Sequence, residues 1–210
     1  MIGSSTRGPD SDRGQAYTLE GFIGAMVVLM AVLFALQSVV LTPTTGGLAD
    51  RTVQVQIQQE AQDALIVSSR GGNLSETVRN WDGEGGFANA DGPPAPGEDN
   101  QTYSVTTFGN ESELGDILEQ RFASNGWSYN VQLHPETGDR KTLVYQGSPP
   151  SSALTASYTV TLYDNQTITS DGDSRTLEAA ADSDDETIPH RGSSDETPIY
   201  NVVEVRVILW

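Results

Sequence analysis

The chain has 210 residues, no cysteine and a formal net charge of −18, from 29 acidic against 11 basic residues, of which only Lys141 is a lysine. These counts exclude disulfides, thiolate nucleophiles and cysteine-based metal sites, and they argue against nucleic acid as a partner, since no basic stripe exists to neutralise phosphates. The same carboxylate-rich, lysine-poor balance suits a very salty, halophilic solvent, where the Debye length falls to roughly 3 Å and self-repulsion is screened.

A short polar stretch, Arg13-Gly14-Gln15-Ala16-Tyr17-Thr18-Leu19-Glu20, leads into an uncharged apolar run from Gly21 to Leu41. At about 1.5 Å per residue that run reaches roughly 31 Å as a helix, the hydrocarbon thickness of a bilayer. It exceeds the apolar stretch of about 7 to 15 residues in a secretory signal, and no Ala-x-Ala cleavage site follows it. The expectation is a leader over 1–14, a transmembrane helix over 15–42, a hinge over 43–48 and an external domain over 49–210, with membrane lipid as the first partner. Arg7 and Arg13 are offset by Asp10 and Asp12, so loop charge orients the segment weakly. The sequons at Asn73, Asn100, Asn110 and Asn165 all follow the run, which favours an extracellular C-terminal domain carrying these four as glycosylation sites.

The stretch from Arg13 to Gln37 resembles the leader and helix of archaeal type IV pilin-like proteins. It is most similar to a group of uncharacterised haloarchaeal single-pass membrane proteins with a pilin-like N-terminus, and Tyr200-Asn201-Val202-Val203-Glu204-Val205 adds to the likeness. The resemblance implies a prepilin-type peptidase as a partner, cleavage between Gly14 and Gln15, and homo- or hetero-oligomers through the N-terminal helix. In bacterial pilins a glutamate at the fifth mature position pairs with a neighbouring subunit's amino terminus. Glu20 is sixth by the same count, so it is either such a subunit contact or a hydrated carboxylate at the headgroup boundary.

Pro43 and Gly46-Gly47 are expected to interrupt any helix, forming the hinge. From Ala49 to Ser69, Val53, Ile57, Ala61, Ala64 and Leu65 recur at helical spacing until Gly71-Gly72 ends the pattern. Leu74 to Trp81 adds a turn or two, and Asp82 to Asn100 is loop. Asn110, with Glu113 three residues on, is expected to cap a helix presenting Leu114, Ile117, Leu118 and Phe122.

Trp127 to His134 alternates with period two, and Pro135 to Asp139 turns the chain back through Thr142 to Tyr145 as a hairpin. Tyr158, Val160 and Leu162 supply a third strand. The terminal run Ile199 to Trp210 is apolar on one face and partly so on the other, through Val202 and Ile208, which predicts a central strand. Between these strands, Asp164 to Pro198 is acidic and poor in apolar residues and is expected to be a mobile loop. The fold class expected is α+β, a transmembrane helix followed by helices packed on an antiparallel sheet.

No catalytic constellation stands out. His134 and His190 lack spaced partners, and neither a zinc motif nor a nucleophile elbow occurs. Asp171, Asp173, Asp182, Asp184, Asp185 and Glu186 match no calcium loop, so no metal and no cofactor are expected. The function expected is that of a membrane-anchored cell-surface structural protein, a pilin-like subunit or minor pilin located in a surface filament. The alternative is a stand-alone single-pass surface protein whose ectodomain binds a partner or ligand.

Overall fold

The computed structural model describes residues 10–37, 45–82, 86–182, 188–192 and 197–210. The first nine residues of the expected leader, Pro43 of the expected hinge, and Asp184, Asp185 and Glu186 lie outside them. The chain divides into two compact units, Met1–Ala49 and Asp50–Trp210.

The first unit contains helix α1, Asp10–Gln37. The second holds most of α2 (Thr45–Arg70), then α3 (Asn73–Val78), α4 (Val105–Glu111), α5 (Glu113–Arg121), strands β1 (Tyr129–Pro135), β2 (Lys141–Val144) and β3 (Leu154–Tyr163), helix α6 (Leu177–Asp182) and strand β4 (Ile199–Leu209). The architecture is α+β, with helices against a four-stranded antiparallel sheet ordered β2-β1-β4-β3. The last strand is central, as its two-faced apolar pattern predicts. Its Tyr200, Val203, Val205, Val207 and Leu209 are buried, while Val202, Glu204, Arg206 and Ile208 on the opposite face are half-buried.

Register explains which residues meet in the core. Val131 and Ala156 flank Val207, Leu133 and Tyr158 flank Val205, and Pro135 and Val160 flank Val203, so one face of three strands is a largely apolar surface. Against it pack Leu65 of α2, Leu74 and Val78 of α3, Phe108 of α4, and Leu114 and Leu118 of α5, with Trp81, Phe87 and Phe122 from the connections. Burying a side chain of this size contributes about 1.5–3 kcal/mol each before chain entropy is counted.

Both sheet edges are covered. At β2, Glu98 accepts from the Thr142 backbone N–H at 2.6 Å and from its hydroxyl at 2.7 Å, while the Tyr103 N–H donates to the Leu143 carbonyl at 2.7 Å. At β3, Gln58 and Gln62 of α2 donate to the carbonyls of Thr155 and Ser157 at 2.8 and 3.0 Å. Exposed strand edges invite intermolecular pairing, and these side chains occupy the groups that would otherwise do so.

Three expectations are corrected. Helix α2 already runs through Gly46 and Gly47, so the glycine pair lies within a helix: an interior glycine costs about 1 kcal/mol, which weakens a helix without forbidding it. Its apolar stripe engages the core only from Ile57 onward, through Ala61, Ala64 and Leu65, with Val53 left exposed. Asn110 is not an N-cap; it lies inside α4, whose cap is Ser104, and the cap of α5 is Ser112, whose hydroxyl accepts from the Gly115 N–H at 2.9 Å.

The third correction concerns Asp164 to Pro198. Its described part is not a solvated excursion: Ile168, Leu177, Ala180 and Ile188 are buried in the main core. Arg191 holds it at the centre of an acidic group, 3.1 Å from Asp164 and 3.8 Å from both Glu178 and Asp182. Average composition hid this because a few well-spaced apolar residues suffice to pin a segment whose acids face an internal cation.

Candidate functional site

Helix α1 carries the most distinctive surface of the first unit. Every side chain from Tyr17 to Phe34 is exposed, and this 18-residue stretch has a mean hydropathy of 2.0. In water such a surface is costly, at about 25 cal/mol per Å² of apolar area. Among the described residues it is the one helix long and apolar enough to cross a membrane. Glu20 is exposed within it, near its N-terminal end. Gly14 and Gln15 belong to the backbone of α1. At Gly21 and Gly24 an added Cβ would meet nothing within 4 Å, so both present open backbone on the helix surface.

The second unit holds both histidines of the chain. His134 lies on the half-buried outer face of the sheet, paired in register with Glu204, and its ring Nε2 is 3.2 Å from Gln132 Oε1. Burial pushes its pKa down, with Arg206 adding to the effect, so the neutral imidazole is favoured. His190 is exposed. A cleft of about 660 Å³ is lined by Asp82, Asn89, Ser170, Asp171, Asp173 and Arg175 among others and contains neither histidine. Asp173 is committed to Arg175 at 2.7 Å, and that bond lowers its pKa. Among the described residues no group of three or more histidines and carboxylates is placed to hold a metal ion.

One buried cation escaped sequence reasoning. Arg79 is 8% exposed; its Nε donates to the Ser75 carbonyl at 3.2 Å and its Nη1 donates to the Thr167 carbonyl. Burial lowers its pKa, partly offset by Glu76. Nothing in a lone arginine after an apolar residue signals this, because one partner is a carbonyl of its own helical turn and the other, that of Thr167, lies 88 residues along the chain.

The four sequons differ. Asn73 donates its amide to Glu113, Asn100 accepts from Lys141 Nζ at 2.7 Å, Asn110 is exposed within α4, and Asn165 is exposed in the turn after β3.

Taken together, the residues define an α+β domain in a chain that also carries one helix long and apolar enough to span a bilayer. The chain belongs to a family of unknown function, DUF7288, whose profile matches residues 13–209. The match therefore takes in the apolar helix as well as the domain. Comparison with curated proteins and with solved structures returns no match.

Proposed function

We propose that this is a membrane-anchored cell-surface structural protein, a pilin-like subunit or minor pilin, working through assembly rather than catalysis. The observation that carries the reading is the wholly exposed apolar face of α1 from Tyr17 to Phe34, preceded by Arg13-Gly14-Gln15. A bilayer or a packed bundle of like helices would remove that surface from water. In this reading a prepilin-type peptidase cuts between Gly14 and Gln15, and the helix becomes the start of the mature chain. The domain faces a salt-rich exterior, where its carboxylates hold water and its charge is screened.

The second reading is a stand-alone single-pass surface protein whose domain binds a partner. It is favoured by Glu20 falling one position away from the place a pilin glutamate takes. Mass spectrometry of the native protein tests the choice. A mature chain beginning at Gln15 supports the pilin-like route, an intact N-terminus supports the stand-alone anchor, and a cut beyond Phe34 with release from the membrane removes both. With Gln15 established, Glu20→Ala that inserts but no longer assembles assigns the carboxylate a subunit contact.

A further inference from the structure

We propose that the folded domain selects one of its four sequons, Asn165, as the acceptor of an N-linked glycan. The inference rests on the domain being external, as proposed above.

The selection follows from what each sequon's side chains already do. Enzymatic transfer needs the asparagine amide and the hydroxyl two residues later to be presented together on an accessible segment that an active site can enclose. Three sequons fail this once the chain is folded. At Asn73 the amide donates to Glu113, and the Ser75 hydroxyl lies 3.3 Å from Arg79 Nε and 3.4 Å from Gln166 Nε2. At Asn100 the amide oxygen holds Lys141, and Thr102 is 2% exposed with its hydroxyl donating to the Pro93 carbonyl at 2.8 Å. Asn110 is held in helix α4, and the Ser112 hydroxyl is the α5 cap, also donating to the Phe108 carbonyl at 3.2 Å.

Asn165 is different in each respect. The Gln166 N–H donates to the Tyr163 carbonyl at 3.0 Å, closing a tight turn with Asp164 and Asn165 at its corners. Both Asn165 and Thr167 are exposed. The turn is framed from beneath: the Leu177 N–H donates to the Gln166 carbonyl at 2.8 Å, the Glu178 N–H donates to the Asp164 carbonyl at 3.2 Å, and Asp164 is paired with Arg191. The acceptor therefore projects from a rigid support, to which the Thr167 backbone is tied by Arg79 and Thr176, while among the described residues neither the Asn165 amide nor the Thr167 hydroxyl is engaged in a hydrogen bond that a glycan would break.

The donor class is an oligosaccharide linked through phosphate to a membrane polyisoprenoid. The Asn165 Nδ2 attacks the anomeric carbon and a C–N bond forms. The C–O bond to phosphate breaks with its electron pair leaving on the phosphate, and the amide gives up one proton to the enzyme's base.

Glycopeptide mapping of the full-length native protein tests this, alongside protease added to intact cells. The expected result is a glycan mass on the Asn165 peptide and bare peptides at Asn73, Asn100 and Asn110. The mass should be lost in Thr167→Ala and retained in Thr167→Ser. A glycan on any of the other three overturns the selection, as does a bare Asn165 when external protease reaches the domain. If external protease cannot reach the domain and Asn165 is bare, the proposed topology falls with it.

Discussion

The Gln62 side-chain amide donates to the Ser157 carbonyl at 3.0 Å, joining residues 95 apart and fixing α2 along the outer strand β3. One helical turn earlier Gln58 does the same to Thr155. The two periods agree: four helical residues rise about 6.0 Å and two strand residues about 6.8 Å. A glutamine every fourth position can therefore follow alternate carbonyls of a strand edge.

Gln62→Ala should cost about 1 kcal/mol, the net value of such a bond. Gln62→Glu should cost more, because it sets carboxylate lone pairs against the Ser157 carbonyl. Urea unfolding of the full chain in detergent measures both. Equal stability of the two variants would show that the amide donor is not what matters.

Arg191 is 14% exposed and Asp164 is 13% exposed, so removing one strands the other. Arg191→Gln is expected to destabilise by about 3 kcal/mol, since a buried charge left without its counterion is the expensive case. Limited proteolysis should then cut within 164–198 sooner than in the parent chain. Added salt should reproduce little of this effect, because it screens the more exposed Glu178 and Asp182 arms before the Asp164 pair.

Gly115 lies where α4 meets α5. A Cβ built there would stand 1.9 Å from the Phe108 carbonyl oxygen and 2.3 Å from its carbon, backbone atoms that cannot swing aside. Gly115→Ala should therefore cost about 3 kcal/mol through forced separation of the two helices. Gly24→Ala is the control, since nothing lies within 4 Å of its added methyl. The domain's urea midpoint should fall for the first and hold for the second.

The periodic elements were legible because burial imposes periodicity. Val203, Val205, Val207 and Leu209, with Val202 and Ile208 behind them, mark a strand half-buried even on its outer face, and it is paired on both sides, with β1 and β3. Asn110 misled because cap preference is local and two good caps, Asn110 and Ser112, stand close together. Packing Phe108 and Leu114 into one core places the break between helices at Ser112. The stretch after β3 misled for the opposite reason: its acids are numerous, but Arg191 and four buried apolar residues decide its course. The candidate membrane segment needed no tertiary information, since an uncharged run of that length is its own signal.

Acid should unfold the domain in two stages, and Asp91 tests the second. Its carboxylate accepts from the Ser104 N–H at 2.8 Å, the Ser104 hydroxyl at 3.0 Å and the Thr107 hydroxyl at 2.7 Å, reinforcing the start of α4. The Ser104 backbone bond, then Thr107, hold its pKa below the ordinary carboxylate value. Glu204 is lowered too, chiefly by the Ser157 hydroxyl. A depressed carboxylate contributes fully above the unfolded value of about 4, and that contribution disappears as the pH falls through the folded value. His134 acts earlier: with its folded pKa lowered, the unfolded chain takes up a proton first, so stability declines as the pH drops below about 6.5. Urea midpoints measured from pH 8 to pH 2 should show His134→Gln losing the first decline and Asp91→Asn losing part of the second. If Asp91→Asn follows the parent curve below pH 4, the cap contributes nothing to acid lability, and the slope there belongs to Glu204 and Asp173.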